Sequence, residues 1–418
     1  MPLRYFLVLF FLALATSASA KETASKHNTL TSEQAAEGWI SLFDGETLFG
    51  WTPTSAANWS VKGGTIHVDS GKSGFLMTNA QFADFELEVE YRCPPETNSG
   101  IFLRASRTPK DAAADCIEVN IAPPEDASPT SHLVGRDTIY DKELPRFEKL
   151  DSGETVKLDP WDGKWHTLRI VIKQMPDGPA STSLLAVVLD GAPQSLATIS
   201  KSTTGHIGLQ FRRGEIAFRN IRLRPLSLES IFDGKSLAGW NTDKAEASEF
   251  KITDQGELQV LNGRGQLESD KSYGDFLMQF DCRVDGDGLN TGMFFRCIPG
   301  DFMMGYECQI SNAMKEGDAT QPFDCGTGGF FRRQNARRIV AKDHEWFTLT
   351  LSATGPQMAA WVNGHQVSDW TDERQEHENP RKGLRTKPGT LAIQGHDPTT
   401  DIRFRNVRIV ELPETNDQ

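Results

Sequence analysis

In the last third of this 418-residue chain, three short stretches set polar side chains two residues apart from a neighbour: Phe294 with Arg296, Glu307 with Gln309, and Gln394 with His396. In an extended segment that spacing turns both side chains to one face. If the three faces line one concave sheet, a carboxylate, a guanidinium, an imidazole and two amides converge on a polar pocket. Such a set can move protons and hold developing negative charge, and His396 is the side chain in it that titrates near neutrality. Gln309, Gln394 and nearby Asn290 would bind the oxygens of a substrate. The competing reading makes Arg296 and Glu307 an ion pair on a solvated face.

Loops add further candidates. Arg332 lies in Thr327-Gly328-Gly329-Phe330-Phe331-Arg332-Arg333, Trp370 and Arg374 in Asp369-Trp370-Thr371-Asp372-Glu373-Arg374, and more cations in Asn379-Pro380-Arg381-Lys382-Gly383-Leu384-Arg385. Guanidinium groups hydrogen-bond vicinal hydroxyls and enediolate oxygens, and a Trp face packs on sugar C–H groups. Against this stand plainer roles: internal salt bridges for Arg332 and Arg374, and a core position for Trp370. The chain has no Gly-x-Ser-x-Gly, phosphate-cradling glycine loop or His-Glu-x-x-His. Its nine histidines lack metal-ligand spacing, although His396 with Glu307 or Asp397 leaves a divalent cation open.

The elements that must position these groups occur twice, about 190 residues apart. Ser41-Leu42-Phe43-Asp44-Gly45 with Trp51 returns as Ser230-Ile231-Phe232-Asp233-Gly234 with Trp240. Asn98-Ser99-Gly100-Ile101-Phe102-Leu103-Arg104 returns as Asn290-Thr291-Gly292-Met293-Phe294-Phe295-Arg296. A period this long means tandem domains. The first copy has the same spacing with different chemistry: Arg104, Glu118, Asn120, Gln210 and Arg212, with Arg212 where the second copy has His396. Without a side chain there that titrates near neutrality, the first domain is expected to be accessory.

Each copy reads as strands. Phe85, Leu87, Val89 and Tyr91 alternate with Glu86, Glu88 and Glu90, and Phe276, Met278, Phe280, Cys282 and Val284 repeat the pattern. Further strands are predicted over 167–172, 185–189, 347–351 and 359–362. Asp190-Gly191 and Asn363-Gly364 supply the positive φ of tight hairpins. Helical periodicity is nearly absent, with 32–37 the main exception. The class is all-β, two tandem jelly-roll sandwiches at 39–225 and 229–412, after a flexible lead-in over 21–38 and before a tail at 413–418. Long polar insertions at 123–160 and 369–388 are expected to be binding loops or lids.

Residues 1–20 carry one cation, an apolar run and a small-residue end, the pattern of a secretory signal peptide. A secreted or periplasmic protein without a membrane span follows. The formal charge of −13 argues against nucleic acid or anionic membranes as partners. Six cysteines permit disulfides without requiring them, and Cys297 and Cys308 flank a turn that could bring them together.

The ordered set of Phe-Asp-Gly with Gly-Trp, Asn-[Ser/Thr]-Gly-x-Phe-x-Arg, Gly305-Tyr306-Glu307-x-Gln309-Ile310, Trp361-Val362-Asn363-Gly364 and Phe-Arg-Asn-[Ile/Val] resembles the exported 3-keto-disaccharide hydrolase family across both copies. The resemblance implies concanavalin-like or laminin-G-like jelly rolls acting on carbohydrates already oxidised at C3 by a separate oxidoreductase. A C3 ketone acidifies the C2 proton, so a base can form an enediolate, expel the group at C1 and let water add back. On this reading His396 is base or acid, Glu307 its counterpart or a metal ligand, and Arg296, Gln309 and Gln394 bind oxygens. Two rivals remain: a carbohydrate-binding protein without chemistry, and a two-carboxylate glycosidase pairing Glu307 with Asp397 or Asp324.

Overall fold

The computed structural model describes residues 27–111, 115–136, 147–149, 155–157, 159–175, 182–200 and 203–413, with backbone alone at 147–149 and 155–157. The expected signal peptide, most of the tail and much of the 123–160 insertion lie outside them. The chain forms two compact units, one built on 41–226 and the other on 30–40 with 227–414.

Each unit is an antiparallel sandwich of an eight-stranded back sheet and a five-stranded front sheet. The alternating strands predicted around Phe85 and Phe276 run over Phe85–Arg92 and Phe276–Val284, central in the back sheets. Their apolar residues face the front sheet, and in unit 2 Met278, Phe280 and Cys282 pack with Phe295, Tyr306, Leu391 and Ile393 in one core. The hairpins form where Asp190 and Asn363 take φ of 47° and 46° and the following glycines 79° and 77°, the conformation that matches strand twist.

Residues 30–38 are not a free lead-in. Thr31 and Gln34 form a reciprocal capping box on the helix Ser32–Ala36, and Gln279 donates to the Gly38 carbonyl at 2.8 Å. The segment is thereby fixed within unit 2. All six cysteines are buried free thiols. Cys297 and Cys308 cannot meet, because Cys308 joins the main core whereas Cys297 packs with Phe294, Met303 and Ala392 on the other face of the sheet.

Candidate functional site

The front sheet of unit 2 runs Trp240–Asn241, Gly265–Tyr273, Gly389–Gly395, Thr291–Cys297, Tyr306–Ile310. Its register sets Gln266, Gln394, Gly292 and Gln309 in one row and Glu268, Ala392, Phe294 and Glu307 in the next. Alternation turns these residues away from the core. Two of the three predicted faces, those of Glu307 with Gln309 and of Gln394, therefore share one surface.

Glu307 leans over Gly292, where an added Cβ would stand 2.8 Å from its Oε1. No described residue donates a hydrogen bond to its carboxyl. Burial pushes this carboxyl up to about 7, against the pull of Arg381 and Arg332 and with a further push from Asp324. It lines a cavity of about 190 Å³ together with Tyr306, Phe330, Phe331, Arg332, Arg333, Pro380 and Arg381. A carboxyl poised near neutrality beside two guanidinium groups can take a proton while they stabilise the anion formed.

The loop that carries Arg381 is tied down from the strand that carries Glu307. Tyr306, on the core side, donates its hydroxyl to Asp372 Oδ2 at 2.7 Å and accepts from the Arg385 N–H at 2.9 Å. Asp372 accepts from Arg374 Nε at 2.8 Å and, through Oδ2, from its terminal nitrogen at 2.7 Å. Arg374 in turn donates to the carbonyls of Pro380 and Gly383 at 2.9 and 3.0 Å, and Arg381 reaches the Met303 carbonyl at 2.8 Å. Arg374 is thus a loop clamp and not a substrate ligand. Burial alone would raise Asp372, but these bonds hold its carboxyl below the usual range.

Arg296 is the principal correction. It is 0% exposed, with its guanidinium donating to Asp275 Oδ1 at 2.7 Å and to the Gly355 carbonyl at 2.5 Å. The strand bulges between Phe294 and Cys297, and Arg296 takes φ of 48°. The extra residue breaks the two-residue alternation and carries the guanidinium off the polar face. Arg104 does the same in unit 1, with φ of 46° and a 2.8 Å bond to Asp84 Oδ1. Both arginines are scaffold. Trp370 also turns inward, its ring centroid 6.2 Å from those of Tyr306 and Phe330, and it packs against the core.

His396 lies beyond the strand end with its side chain 40% exposed, its Nδ1 2.8 Å from Asp397 Oδ2. It is outside the cavity lining. Two strands and two rows separate it from Glu307, roughly 15 Å between Cα atoms at ordinary sheet spacings, so the two cannot act on one atom. Gln309 is 1% exposed and donates to Asn290 Oδ1 at 2.7 Å, and Asn290 donates to Asp324 Oδ2 at 2.8 Å. The amide oxygens of Gln309 and Gln394 have no donor among the described residues. Arg332 is exposed on the cavity rim. Among the described residues no group of three or more His, Cys, Asp or Glu gathers as a metal site, and the His396–Asp397 pair alone does not make up a divalent cation's ligand set.

Arg381 and the Tyr306–Asp372 clamp escaped the sequence reading. Arg381 was visible as one cation in a charged run, but nothing in its spacing separated it from Arg374 or Arg385.

In unit 1 the same face carries Glu118, Asn120 and Gln210. Glu118 is likewise pushed up to about 7 by burial, with Arg212 and a hydrogen bond from Gln210 pulling the other way.

A paired-sheet sandwich whose front face carries a carboxyl raised by burial, two guanidinium groups and buried amides defines a class able to hold a hydroxyl-rich ligand. Within it, the chain matches the 3-keto-alpha-glucoside-1,2-lyase-like domain twice, over 38–224 and 227–410, and belongs to that family. A 3-keto-disaccharide hydrolase of Bacteroides thetaiotaomicron is 24% identical over 255 residues, 51% of this chain and 87% of the relative. Among solved structures, a Parabacteroides distasonis protein assigned to the glycosyl hydrolases is 18% identical, with 44% of this chain and 94% of that chain covered and a TM-score of 0.37. The carbohydrate-binding module CBM66 of Bacillus subtilis is 17% identical, with 41% and 94% covered and a TM-score of 0.30.

Proposed function

We propose that unit 2 cleaves 3-keto-glycosides by elimination and hydration, with Glu307 as the base. The observation that carries this is the Glu307 carboxyl, pushed up to about 7 and without a hydrogen-bond donor among the described residues, in a cavity it shares with Arg332 and Arg381. The C2 proton passes to Glu307, and the electron pair forms a C2=C3 bond with negative charge on O3, which Arg332 and Arg381 stabilise. Collapse of that anion restores the ketone, forms C1=C2 and breaks the C1–O bond, the departing oxygen taking a proton from solvent. Water then adds at C1 and gives up one proton to solvent, and Glu307 returns its proton to C2.

The ketone must come from a separate oxidoreductase, since no redox group takes part in these steps. We place the protein in the periplasm or medium, on the signal-peptide pattern of residues 1–20; a mature N-terminus other than Lys21 would count against that cleavage site. The activity test uses methyl 3-keto-α-glucoside beside its unoxidised parent. Cleavage of the ketone alone supports the reading. Cleavage of neither leaves a binding protein, and cleavage of the parent marks a two-carboxylate glycosidase.

A further inference from the structure

Unit 1 repeats the outer face of the front sheet with different side chains. Its register sets Phe75, Gln210, Gly100 and Asn120 in one row and Met77, Gly208, Phe102 and Glu118 in the next. These stand where unit 2 has Gln266, Gln394, Gly292 and Gln309, then Glu268, Ala392, Phe294 and Glu307. Glycine again lies beneath the acid, and a Cβ on Gly100 would be 3.2 Å from Glu118 Oε1.

One substitution opens a buried acceptor. Asn98 donates to Asp126 Oδ2 at 3.2 Å, as Asn290 does to Asp324. In unit 2 the Asn290 oxygen is filled by Gln309. Asn120 is one methylene shorter than Gln309, and its amide instead donates to the Ser128 carbonyl and accepts from the Ile121 N–H at 3.1 Å. Asn98 is 4% exposed, and its Oδ1 has no donor among the described residues. Gln210 Oε1 has none either. A buried acceptor without a donor is costly, so a ligand bringing O–H groups would complete these two. On the same face Phe75 lies 4.6 Å from Phe102, centroid to centroid, and is partly exposed. That is an apolar wall for the C–H face of a ring.

Arg332 and Arg381 of unit 2 have no counterparts at the same positions here, and the guanidinium that acts on Glu118 is instead that of Arg212. Val134 N–H donates to the Glu118 carbonyl at 3.1 Å as Phe331 N–H donates to that of Glu307 at 3.0 Å, which makes Gly135 the counterpart of Arg332. Arg136, opposite Arg333, donates to the Cys116 carbonyl at 2.7 Å. The connection that carries Arg381 in unit 2 shrinks to 201–205, between the strands Ala192–Ser200 and His206–Phe211.

We propose that unit 1 is a second, non-hydrolytic sugar site, in which vicinal hydroxyls of an unoxidised pyranose donate to Asn98 Oδ1 and Gln210 Oε1 above Gly100, with the ring against Phe75. The choice of sugar rests on the function proposed for unit 2, whereas the site itself rests on the open acceptors of unit 1. Trehalose and cellobiose titrated into the full chain by calorimetry test it, with thermal unfolding as the control for folding. Asn98→Leu, Gln210→Leu and Phe75→Ala should each weaken binding about tenfold, and Gln309→Leu should not. Absence of binding to the unaltered chain overturns the proposal, as does binding that is lost in Gln309→Leu and insensitive to Gln210→Leu. Loss of keto-glucoside turnover in Gln210→Leu equal to that in Glu307→Gln would also overturn it, by placing chemistry in unit 1. Failure of the unaltered chain to cleave the keto-glucoside sinks the function of unit 2 and leaves this binding result standing by itself.

Discussion

The carboxyl of Glu307 lies over Gly292, so that a Cβ at 292 would stand 2.8 Å from Oε1 and 2.9 Å from Cγ of the acid. Backbone strain is not the reason for glycine there, since the strand keeps ordinary extended geometry. Space for the acid is. Gly292→Ala should therefore fold but push Glu307 off its position, lowering kcat/KM on methyl 3-keto-α-glucoside at least tenfold with a shift in Tm of only a few degrees. Unchanged kcat/KM would show that the acid's placement does not matter to turnover.

A base must be deprotonated to act, so the rate should rise with pH through about 7 and level off above it. Arg381 pulls the Glu307 carboxyl down, so Arg381→Ala should move the midpoint to higher pH as well as slowing the reaction. A midpoint that stays fixed in Arg381→Ala would assign the titration to another group.

The same carboxyl makes unit 2 sensitive to alkali. Its folded-state value lies above the ordinary 4.5, so the stability it contributes is complete below 4.5 and lost as pH rises through about 7. The loss amounts to something on the order of 3 kcal/mol. Glu307→Gln should unfold at higher urea than the unaltered chain at pH 8, with the gap closing at pH 4. A gap independent of pH would contradict a raised carboxyl.

Arg296, fully buried, pairs at 2.7 Å with Asp275, whose side chain is 25% exposed. Breaking a fully buried pair from one side costs about 3–5 kcal/mol, and partial hydration of Asp275 brings the cost here to the low end of that range or below. Arg296→Met should lower the urea midpoint of unit 2 sharply, while the folded fraction keeps its KM. A kcat effect without loss of stability would return Arg296 to the site.

His396, outside the cavity lining and against Asp397, can touch only a substrate that extends past the Glu307 cavity. His396→Ala should raise KM several-fold with kcat within about threefold of normal. A collapse of kcat at unchanged KM would make it the acid or base instead.

The alternation of Phe276, Met278, Phe280, Cys282 and Val284 made a half-buried strand legible, because a two-residue period has one structural meaning when one face is buried. The duplicated Asn-x-Gly-x-Phe-x-Arg segment likewise revealed two domains. The same periodicity misplaced Arg296, since a bulge inserts a residue without leaving a trace in polarity. Trp370 could be read as a sugar platform or as core, and only packing on Tyr306 and Phe330 separated the two. Asn120 stands where the second copy has Gln309, one methylene longer, and only the structure shows that the shorter amide leaves Asn98 Oδ1 without a donor among the described residues.

The sequence by itself determined the all-β class, the duplication and the presence of Glu307 and Gln309 on one strand face, because these follow from local alternation and repetition. Only the tertiary structure decided which charges meet. Arg381 reaches the cavity of Glu307 through a loop clamped by Tyr306 and Asp372, while Arg296 is carried away by a bulge. Both outcomes depend on contacts between residues distant in the chain, which local pattern does not encode.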